Sequence, residues 1–371
     1  MYIYFILLTL SIVLAKFVSK KVYFICMYGL LGGVSGLRSV SVGVDTLSYY
    51  NIFYHYCNYT VNDAINIFLQ LGNNDIEIGF QLFIILCSCI SSSAWFMILI
   101  SSIITYTLYG KFVYSNTNNN NYWMATALIL SLGYYYYSIP TIRQAMATAV
   151  AIQSIEMISN DKKISAIICV IVATSFHTSA LIFLPLIILF GSTRILFYKG
   201  YNNCFIFFAL TIILSIILFS GLGVLISNVD VISGRLSRYV LHSSIHTLES
   251  SNGVYLWCKF ILYILVIFLT IKGKNKLINI QKKRMIVYAA FSLMLACIFI
   301  LLKEYAVIMV RLMYHFDPFS WILIPFVISK LKNVRVRYMC YFTFIIICYL
   351  SLYYNSLPGA SWESVPYEFT F

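Results

Sequence analysis

Residues 134–147 read YYYYSIPTIRQAMA and join two apolar runs. Pro140 suits the first turn of a helix, because its missing N–H would be unbonded there in any case, and Ser138 or Thr141 could cap that helix. We therefore expect one apolar helix to end before Pro140 and a second to begin beside it, with Arg143 in its first turn. Apolar helices that alternate with short polar boundaries are typical of a chain that crosses a membrane repeatedly.

The composition of the whole chain supports this interpretation. Apolar residues make up 61% of the 371 positions, charged residues make up 10%, and the mean hydropathy is +0.87, which excludes an ordinary soluble domain. Apolar runs of about 17–25 residues recur along the chain, and each can cross roughly 30 Å of hydrocarbon as a helix. We expect an all-α polytopic membrane protein, one integral membrane domain over residues 1–371, with about 12 transmembrane helices in a range of roughly 11–14.

The basic residues orient these helices. We place the spans approximately at 2–18, 22–36, 94–112, 122–138, 143–158, 164–176, 178–190, 203–225, 253–272, 285–302, 306–329 and 338–354. With the N-terminus outside, most of the 25 Lys and Arg residues lie on the inner side, as the positive-inside rule requires. If the apolar segment 77–91 crossed the membrane fully, every later loop would lie on the opposite side of the membrane. We therefore expect 77–91 to be re-entrant or interfacial within an outer loop of residues 37–93, and we place a second large outer loop at 226–252.

Five arginines remain on the outer side. They are Arg38, Arg143, Arg235, Arg238 and Arg311. A planar guanidinium with several donors binds phosphate or carboxylate in a bidentate way that a flexible ammonium does not match. The sequence therefore predicts an anion site at the outer face. The alternative is that these arginines pair with nearby acids or extend to water.

Arg143 is the strongest candidate of the five. The first turn of a helix presents unbonded N–H groups and the positive end of the helix dipole, so a guanidinium there would complete a phosphate site. An arginine at membrane depth costs at least ~2.5 kcal/mol on insertion scales, which favours a functional role. A buried structural pair with an acid is the alternative.

Three other outer residues could carry chemistry. Asp45, in GLRSVSVGVDTLSYY, could be a general base, an acceptor for a sugar hydroxyl or the partner of Arg38. Glu77 opens the next apolar segment and lines either a cavity or the water interface. His177, in SFHTSALIFLP, is either a hydrogen-bonded interface residue or a catalyst.

The remaining candidates are recognition residues. Arg235 and Arg238 are three residues apart, so on a helix they would share a face and could clamp an anion, or the helix could be an ordinary surface helix. The chain has 31 tyrosines, and aromatic rings that anchor a membrane interface can also stack on sugars.

Several chemistries have no support in the sequence. It contains no phosphate-binding loop, no G-x-S-x-G, no H-E-x-x-H and no C-x-x-C, and its ten cysteines are scattered through apolar runs. We expect no metal ion and no cofactor. The net charge of +13 is explained by the inner loops, so we expect no nucleic-acid partner.

Five segments occur in a characteristic order over roughly residues 30–330. They are LRSVSVGVDTLSYY, EIGF, IRQAMATAVAI, SFHTSALIFLPL and a late RLMYHF followed by LIP. This order resembles the EpsG-like branch of Wzy-type polysaccharide polymerases. The resemblance implies a membrane glycosyltransferase of the GT-C type in the bacterial inner membrane, with its active site facing the periplasm. Its product would be O-antigen or capsule polysaccharide.

The resemblance also implies the reaction and its residues. A growing glycan would pass from undecaprenyl pyrophosphate to the terminal sugar of a lipid-linked repeat unit. Beside the resemblance, the residues themselves favour transfer without a metal, because the outer segments contain no evident metal-binding cluster of carboxylates, and a direct displacement would invert the configuration. The partners would be undecaprenyl pyrophosphate-linked oligosaccharides and membrane lipids, with a chain-length regulator as a further candidate. We expect a base among Glu77, Asp45 and His177, in that order, pyrophosphate contacts from the five arginines, and glycan contacts from Gln144, Tyr137 and Tyr314. The pyrophosphate role of Arg235 and Arg238 is not implied by the resemblance and follows from the charge argument alone.

Two other functions fit parts of the pattern. A flippase for lipid-linked oligosaccharides would also need spans and buried arginines, but transporters often contain repeated halves, and we find no repeat. A membrane O-acyltransferase could use His177, although no second feature points to one.

Overall fold

The computed structural model describes residues 2–69, 76–117, 121–184, 186–188, 312–357 and 367–370, together with scattered positions between 261 and 296. This part of the chain is helical, and its β-type pairing is an isolated bridge between Arg38 and Phe369. The prediction of an all-α protein is confirmed there. The span expected at 203–225 and the outer loop at 226–252 lie outside the described residues, and of the span expected at 253–272 the structure describes only residues 261 and 264.

The helices follow the apolar runs. In chain order they are α1 (Tyr2–Phe17), α2 (Lys20–Gly36), α3 (Thr46–Tyr56), α4 (Val61–Leu69), α5 (Ile78–Ser88), α6 (Ala94–Asn116), α7 (Tyr122–Ser131), α8 (Tyr134–Ser138), α9 (Ile142–Ala151), α10 (Gln153–Ser159), α11 (Lys163–Phe176), a 3-10 turn (Thr178–Ile182), α12 (Asp317–Ser329) and α13 (Val334–Asn355). Within the described ranges, α6 and α13 are long and apolar enough to cross a membrane, and several other apolar helices are shorter. The number of spans and the GT-C arrangement stay predictions.

The boundary at residues 134–147 differs in detail from the expectation. The run 122–138 forms two helices, α7 and α8, because Gly133 between them has φ of +84°, a left-handed conformation that favours glycine. Helix α9 begins at Ile142 with Arg143 in its first turn, as predicted. Pro140, however, lies before the helix and not in its first turn.

Of the two predicted caps of α9, Thr141 occupies the N-cap position but makes no side-chain cap bond, and Ser138 does not cap the helix. Ser138 donates its hydroxyl to the carbonyl of Tyr135 at 2.8 Å, and Thr141 donates to the carbonyl of Tyr137 at 2.7 Å. Both hydroxyls therefore satisfy carbonyls at the end of α8, and Thr141, the N-cap residue, makes no side-chain cap bond. Short hydroxyl side chains compete for local backbone groups in this way.

Helices α2 and α6 pack with their backbones in direct contact. A Cβ atom on Gly36 would lie 2.7 Å from the Cα of Leu99, and one on Gly32 would lie 3.1 Å from the Cα of Ile103. Glycines four residues apart let two helix backbones touch, as in the G-x-x-x-G contacts of membrane helices. Close van der Waals packing therefore holds the end of α2 against α6.

The described chain groups into two compact units. The first comprises Met1–Glu156, Ser165–Leu181 and Ser320–Phe371, and the second comprises Met157–Ile164 and Ile182–Phe319. Most of the predicted site residues that the structure describes belong to the first unit.

Candidate active site

Glu77, Arg143 and His177 meet in one hydrogen-bonded group, which we call the Glu77 cluster. Glu77 immediately precedes α5, Arg143 lies in the first turn of α9, and His177 follows α11. Glu77 Oε2 accepts from Arg143 Nη1 at 2.7 Å, and Glu77 Oε1 lies 2.8 Å from His177 Nδ1. The fold therefore brings together three residues that the sequence analysis predicted separately as site candidates.

The backbone on both sides holds Glu77 in this position. Its φ and ψ of −66° and 143° are extended, and its carbonyl accepts from the first turn of α5 through Phe80 N at 3.0 Å. The carboxylate does not cap its own helix. Instead Oε1 also accepts from the backbone N–H of Thr178 at 3.2 Å, so Glu77 binds the start of the 3-10 turn as well as the histidine.

A glycine makes this contact possible. A Cβ atom on Gly79 would lie 2.6 Å from the carbonyl oxygen of Ser175, which is closer than any ordinary contact. The start of α5 therefore lies directly against the end of α11. One turn further along, the rings of Phe83 and Phe176 meet edge to face at 6.5 Å. This packing brings Glu77 within reach of His177.

The cluster is charged and accessible. The side chains of Glu77, Arg143 and His177 are 13%, 21% and 23% exposed. Burial raises the pKa of Glu77, but the hydrogen bond from His177, the charge of that ring when it is protonated and the charge of Arg143 outweigh it and lower that pKa to about 2. The carboxylate is therefore ionised at neutral pH, and water or a substrate can reach the group.

Tyr49 is a further member that the sequence analysis did not assign. It lies on α3, is 5% exposed, and its hydroxyl accepts from the backbone N–H of Arg143 at 3.5 Å. Asp45 precedes α3, and its carbonyl accepts from Tyr49 N at 3.1 Å. The sequence feature that could have indicated Tyr49 is its position four residues after Asp45, a predicted site residue, which places it one helical turn into α3.

Arg38 has a different environment from Arg143. It is fully buried, and it donates to Thr46 Oγ1 at 3.2 Å, to the carbonyl of Ser35 at 2.5 Å and to the carbonyl of Ile139 at 2.7 Å. These acceptors are neutral, and none belongs to Asp45. The guanidinium thereby joins the end of α2, the start of α3 and the turn before α9. A diphosphate would reach it only if these contacts broke.

The predicted glycan residues are also buried or half-buried. Tyr137 is 1% exposed and Gln144 is 4% exposed, and the tyrosine hydroxyl donates to Gln144 Oε1 at 2.5 Å. A sugar would contact this pair only after that hydrogen bond opened. Tyr314 is half-buried in a turn before α12. Their glycan role stays a prediction.

Three of the five predicted arginines cannot be placed. Arg235, Arg238 and Arg311 lie outside the described residues. In the part of the chain that the structure describes, one arginine joins a glutamate and a histidine, and no group of three or more His, Cys, Asp or Glu side chains is arranged to hold a metal ion.

Comparison with known proteins gives one positive finding. A family model described as EpsG family matches residues 21–369, which contain the whole Glu77 cluster. No curated protein and no solved structure matches the chain. The match covers nearly the whole chain, and the described part is helical with apolar helices long enough to span a membrane. The chain is therefore a helical membrane protein that belongs to the EpsG family.

Proposed function

We propose that this protein is a glycosyltransferase that polymerises a bacterial surface polysaccharide. It transfers a growing glycan from undecaprenyl pyrophosphate to the terminal sugar of a lipid-linked repeat unit at the periplasmic face of the inner membrane. The observation that carries the proposal is the meeting of Glu77, Arg143 and His177 in one accessible group. Membership of the EpsG family supports it.

Arg143 suits a diphosphate leaving group. When the bond between the anomeric carbon and the diphosphate breaks, negative charge grows on the phosphate oxygens, and preorganised cations stabilise such charge most strongly where water is scarce. Arg143 lies at the N-terminal end of α9, where the helix dipole adds to its charge. Its contact with Glu77 fixes the guanidinium in place before the substrate arrives.

The reaction that follows is a direct displacement. The acceptor hydroxyl attacks the anomeric carbon on the side opposite the diphosphate, so the configuration inverts. Arg235, Arg238 and Arg311 are proposed as further diphosphate contacts, because they share the predicted outer face with Arg143. In this proposal Arg38 positions the loop before α3, since its donors are already bonded inside the protein.

A reconstituted assay tests the proposal. Lipid-linked repeat units would be extracted from cells of the source strain that lack this protein, and added to the purified protein in lipid nanodiscs. We expect a ladder of longer lipid-linked glycans on a gel. Arg143→Ala should reduce chain growth at least about 100-fold, the effect of losing one preorganised charge at a leaving group. Arg335→Ala, which removes an exposed arginine at the start of α13, is the matched control and should leave the ladder unchanged.

Two results would contradict the proposal. One is that the wild-type protein leaves the repeat units single. The other is that the protein in sealed vesicles moves the units across the bilayer without joining them, which would identify a flippase.

A further inference from the structure

We infer that His177, through its Nε2 atom, takes the proton from the acceptor hydroxyl, and that Glu77 is a positioning residue for this step. The inference deepens the proposed function and rests on it. It reverses the order of candidate bases expected from the sequence, where Glu77 came first.

Glu77 is unsuited to accept a proton. Both of its oxygens accept hydrogen bonds, Oε2 from Arg143 and Oε1 from the backbone of Thr178, and Oε1 also faces His177. Donors around a carboxylate stabilise its ionised form, which is why the pKa of this group lies at about 2. A group with so low a pKa binds a proton too weakly to act as an efficient base near neutral pH.

The same contacts determine which histidine nitrogen is available. An ionised carboxylate has no proton to donate, so the 2.8 Å contact between Glu77 Oε1 and His177 Nδ1 requires the hydrogen to be on Nδ1. In the neutral imidazole the lone pair then lies on Nε2. With 23% of the side chain exposed, a sugar hydroxyl can approach the ring.

The charges around the ring favour the product of the proton transfer. Glu77 at the start of α5 and Arg143 at the start of α9 are the charged groups of the cluster, and the carboxylate is in direct contact with the ring. When Nε2 gains the proton, the imidazolium lies 2.8 Å from the carboxylate, as in a serine-protease triad where an acid stabilises the charged histidine.

The step balances as follows. The acceptor oxygen forms a bond to the anomeric carbon, and the bond from that carbon to the diphosphate oxygen breaks with its electron pair. The hydroxyl proton passes to His177 Nε2. The negative charge on the released diphosphate faces Arg143.

Two substitutions of His177 separate a base from a structural residue. In His177→Asn the amide nitrogen can replace Nδ1 and keep the contact with Glu77, but nothing replaces Nε2. We expect chain growth in this variant to fall by about 100-fold to 10,000-fold, the usual contribution of a general base. Binding of the extracted repeat unit to the variant in nanodiscs should be retained. A histidine that served only to hold Glu77 would leave His177→Asn close to the wild-type rate.

The pH dependence gives the second readout. A base that is already protonated cannot accept the hydroxyl proton, so chain growth in the wild-type protein should show an acid limb in its pH profile. The residual activity of His177→Asn should lack this acid limb, while Glu77→Gln should be slower but keep it. An acid limb that survives in His177→Asn, or that disappears in Glu77→Gln alone, would overturn the inference.

A rescue experiment distinguishes loss of the base from misfolding of the variant. His177→Ala leaves space for a small base, so added imidazole should restore part of its chain growth, and size-exclusion chromatography should show a monodisperse protein. If the wild-type protein joins repeat units but His177→Asn does so equally well, the inference fails and the proposed function stands. If the wild-type protein does not join them, the proposed function itself fails.

Discussion

At the scale of single residues, Arg143 shows how this chain tolerates a cation beside an apolar helix. Its guanidinium contacts a carboxylate at 2.7 Å, and its backbone N–H contacts the hydroxyl of Tyr49. The ion pair offsets the cost of removing the charge from water, and partial exposure keeps that cost small. Arg143 can therefore be both a structural partner of Glu77 and a binding residue, because the pair leaves its side chain partly exposed.

Glu77→Gln should weaken this arrangement at two points. The amide keeps the shape of the side chain but loses the charge, so the contacts to both Arg143 and His177 become weaker. We expect the free energy of unfolding to fall by about 1.5–3 kcal/mol, the range for hydrogen bonds to charged groups. Thermal unfolding in detergent measures the change, and Glu156→Gln on α10 is the matched loss of one carboxylate. Equal melting temperatures for Glu77→Gln and the wild-type protein would contradict it.

Stability should also depend on pH through Glu77. Its pKa is lowered from 4.5 to about 2 on folding, so the folded state holds the ionised form more tightly than the unfolded state does. The stabilisation is therefore complete above pH 4.5 and is lost as the pH falls through about 2. The difference in melting temperature between the wild-type protein and Glu77→Gln should shrink as the pH falls from 4.5 through about 2. A difference that stayed undiminished across that pH range would show that the carboxylate is not the group responsible.

Residue types were easier to predict than residue environments. Arg143, Glu77 and His177 stood out because a charged or titratable group beside an apolar run needs a reason to be there. The burial of Arg38 among three neutral oxygens could not be predicted, because its acceptors come from α2, α3 and the turn before α9. Sequence spacing carries no information about which of these segments meet.

At the scale of elements, the contact between α5 and α11 determines the geometry of the site. Gly79 and Ser175 lie where the two helices touch, two residues away from Glu77 and His177 respectively. A small displacement of α5 therefore moves the carboxylate away from the imidazole.

Gly79→Ala tests this contact. The new methyl group must push the start of α5 away from Ser175, which should lower stability by about 1–3 kcal/mol as an overpacked contact does. Chain growth should fall at least about tenfold, because Glu77 no longer aligns His177. Gly33→Ala on α2 is the matched control, since nothing lies within 4 Å of the added atom there. Loss of activity in both variants, or in neither, would argue against a specific role for Gly79.

Element boundaries were the least predictable feature at this scale. The apolar runs marked where helices form, but 122–138 and 143–158 each became two helices. A left-handed glycine such as Gly133 can end a helix inside an apolar run, and hydropathy averaged over a window does not detect a break of one or two residues.

At the scale of the whole molecule, the chain end returns to the segment that carries Arg38. Ser39 N donates to the carbonyl of Glu368 at 2.8 Å, and Thr370 N donates to the carbonyl of Leu37 at 3.0 Å. The Tyr367 hydroxyl donates to the carbonyl of Val34. Residues 367–370, the C-terminal clasp, therefore pair with the connection between α2 and α3, which leads to Tyr49 and the Glu77 cluster.

Removal of residues 367–371 should loosen this connection. The deletion breaks two backbone hydrogen bonds and the side-chain bonds of Tyr367 and Thr370, so amide hydrogen exchange over residues 37–46 should accelerate at least about tenfold, as expected when a segment loses more than about 1.4 kcal/mol of local stability. Thr370→Val, which removes only the side-chain bonds to Leu37 and Arg38, should have a smaller effect. Unchanged exchange in the truncated protein would show that the clasp does not hold the connection.

Under the proposed function, the direct backbone contact between α2 and α6 limits where a lipid-linked substrate can enter the protein. Because Cβ atoms on Gly36 and Gly32 would lie 2.7 Å and 3.1 Å from the Cα atoms of Leu99 and Ile103, the two backbones touch, and sliding or rotation of one helix against the other meets steric conflict. We expect α2 and α6 not to move relative to each other during the proposed reaction. The polyprenyl tail of the proposed substrate should then enter between helices whose backbones are not in direct contact.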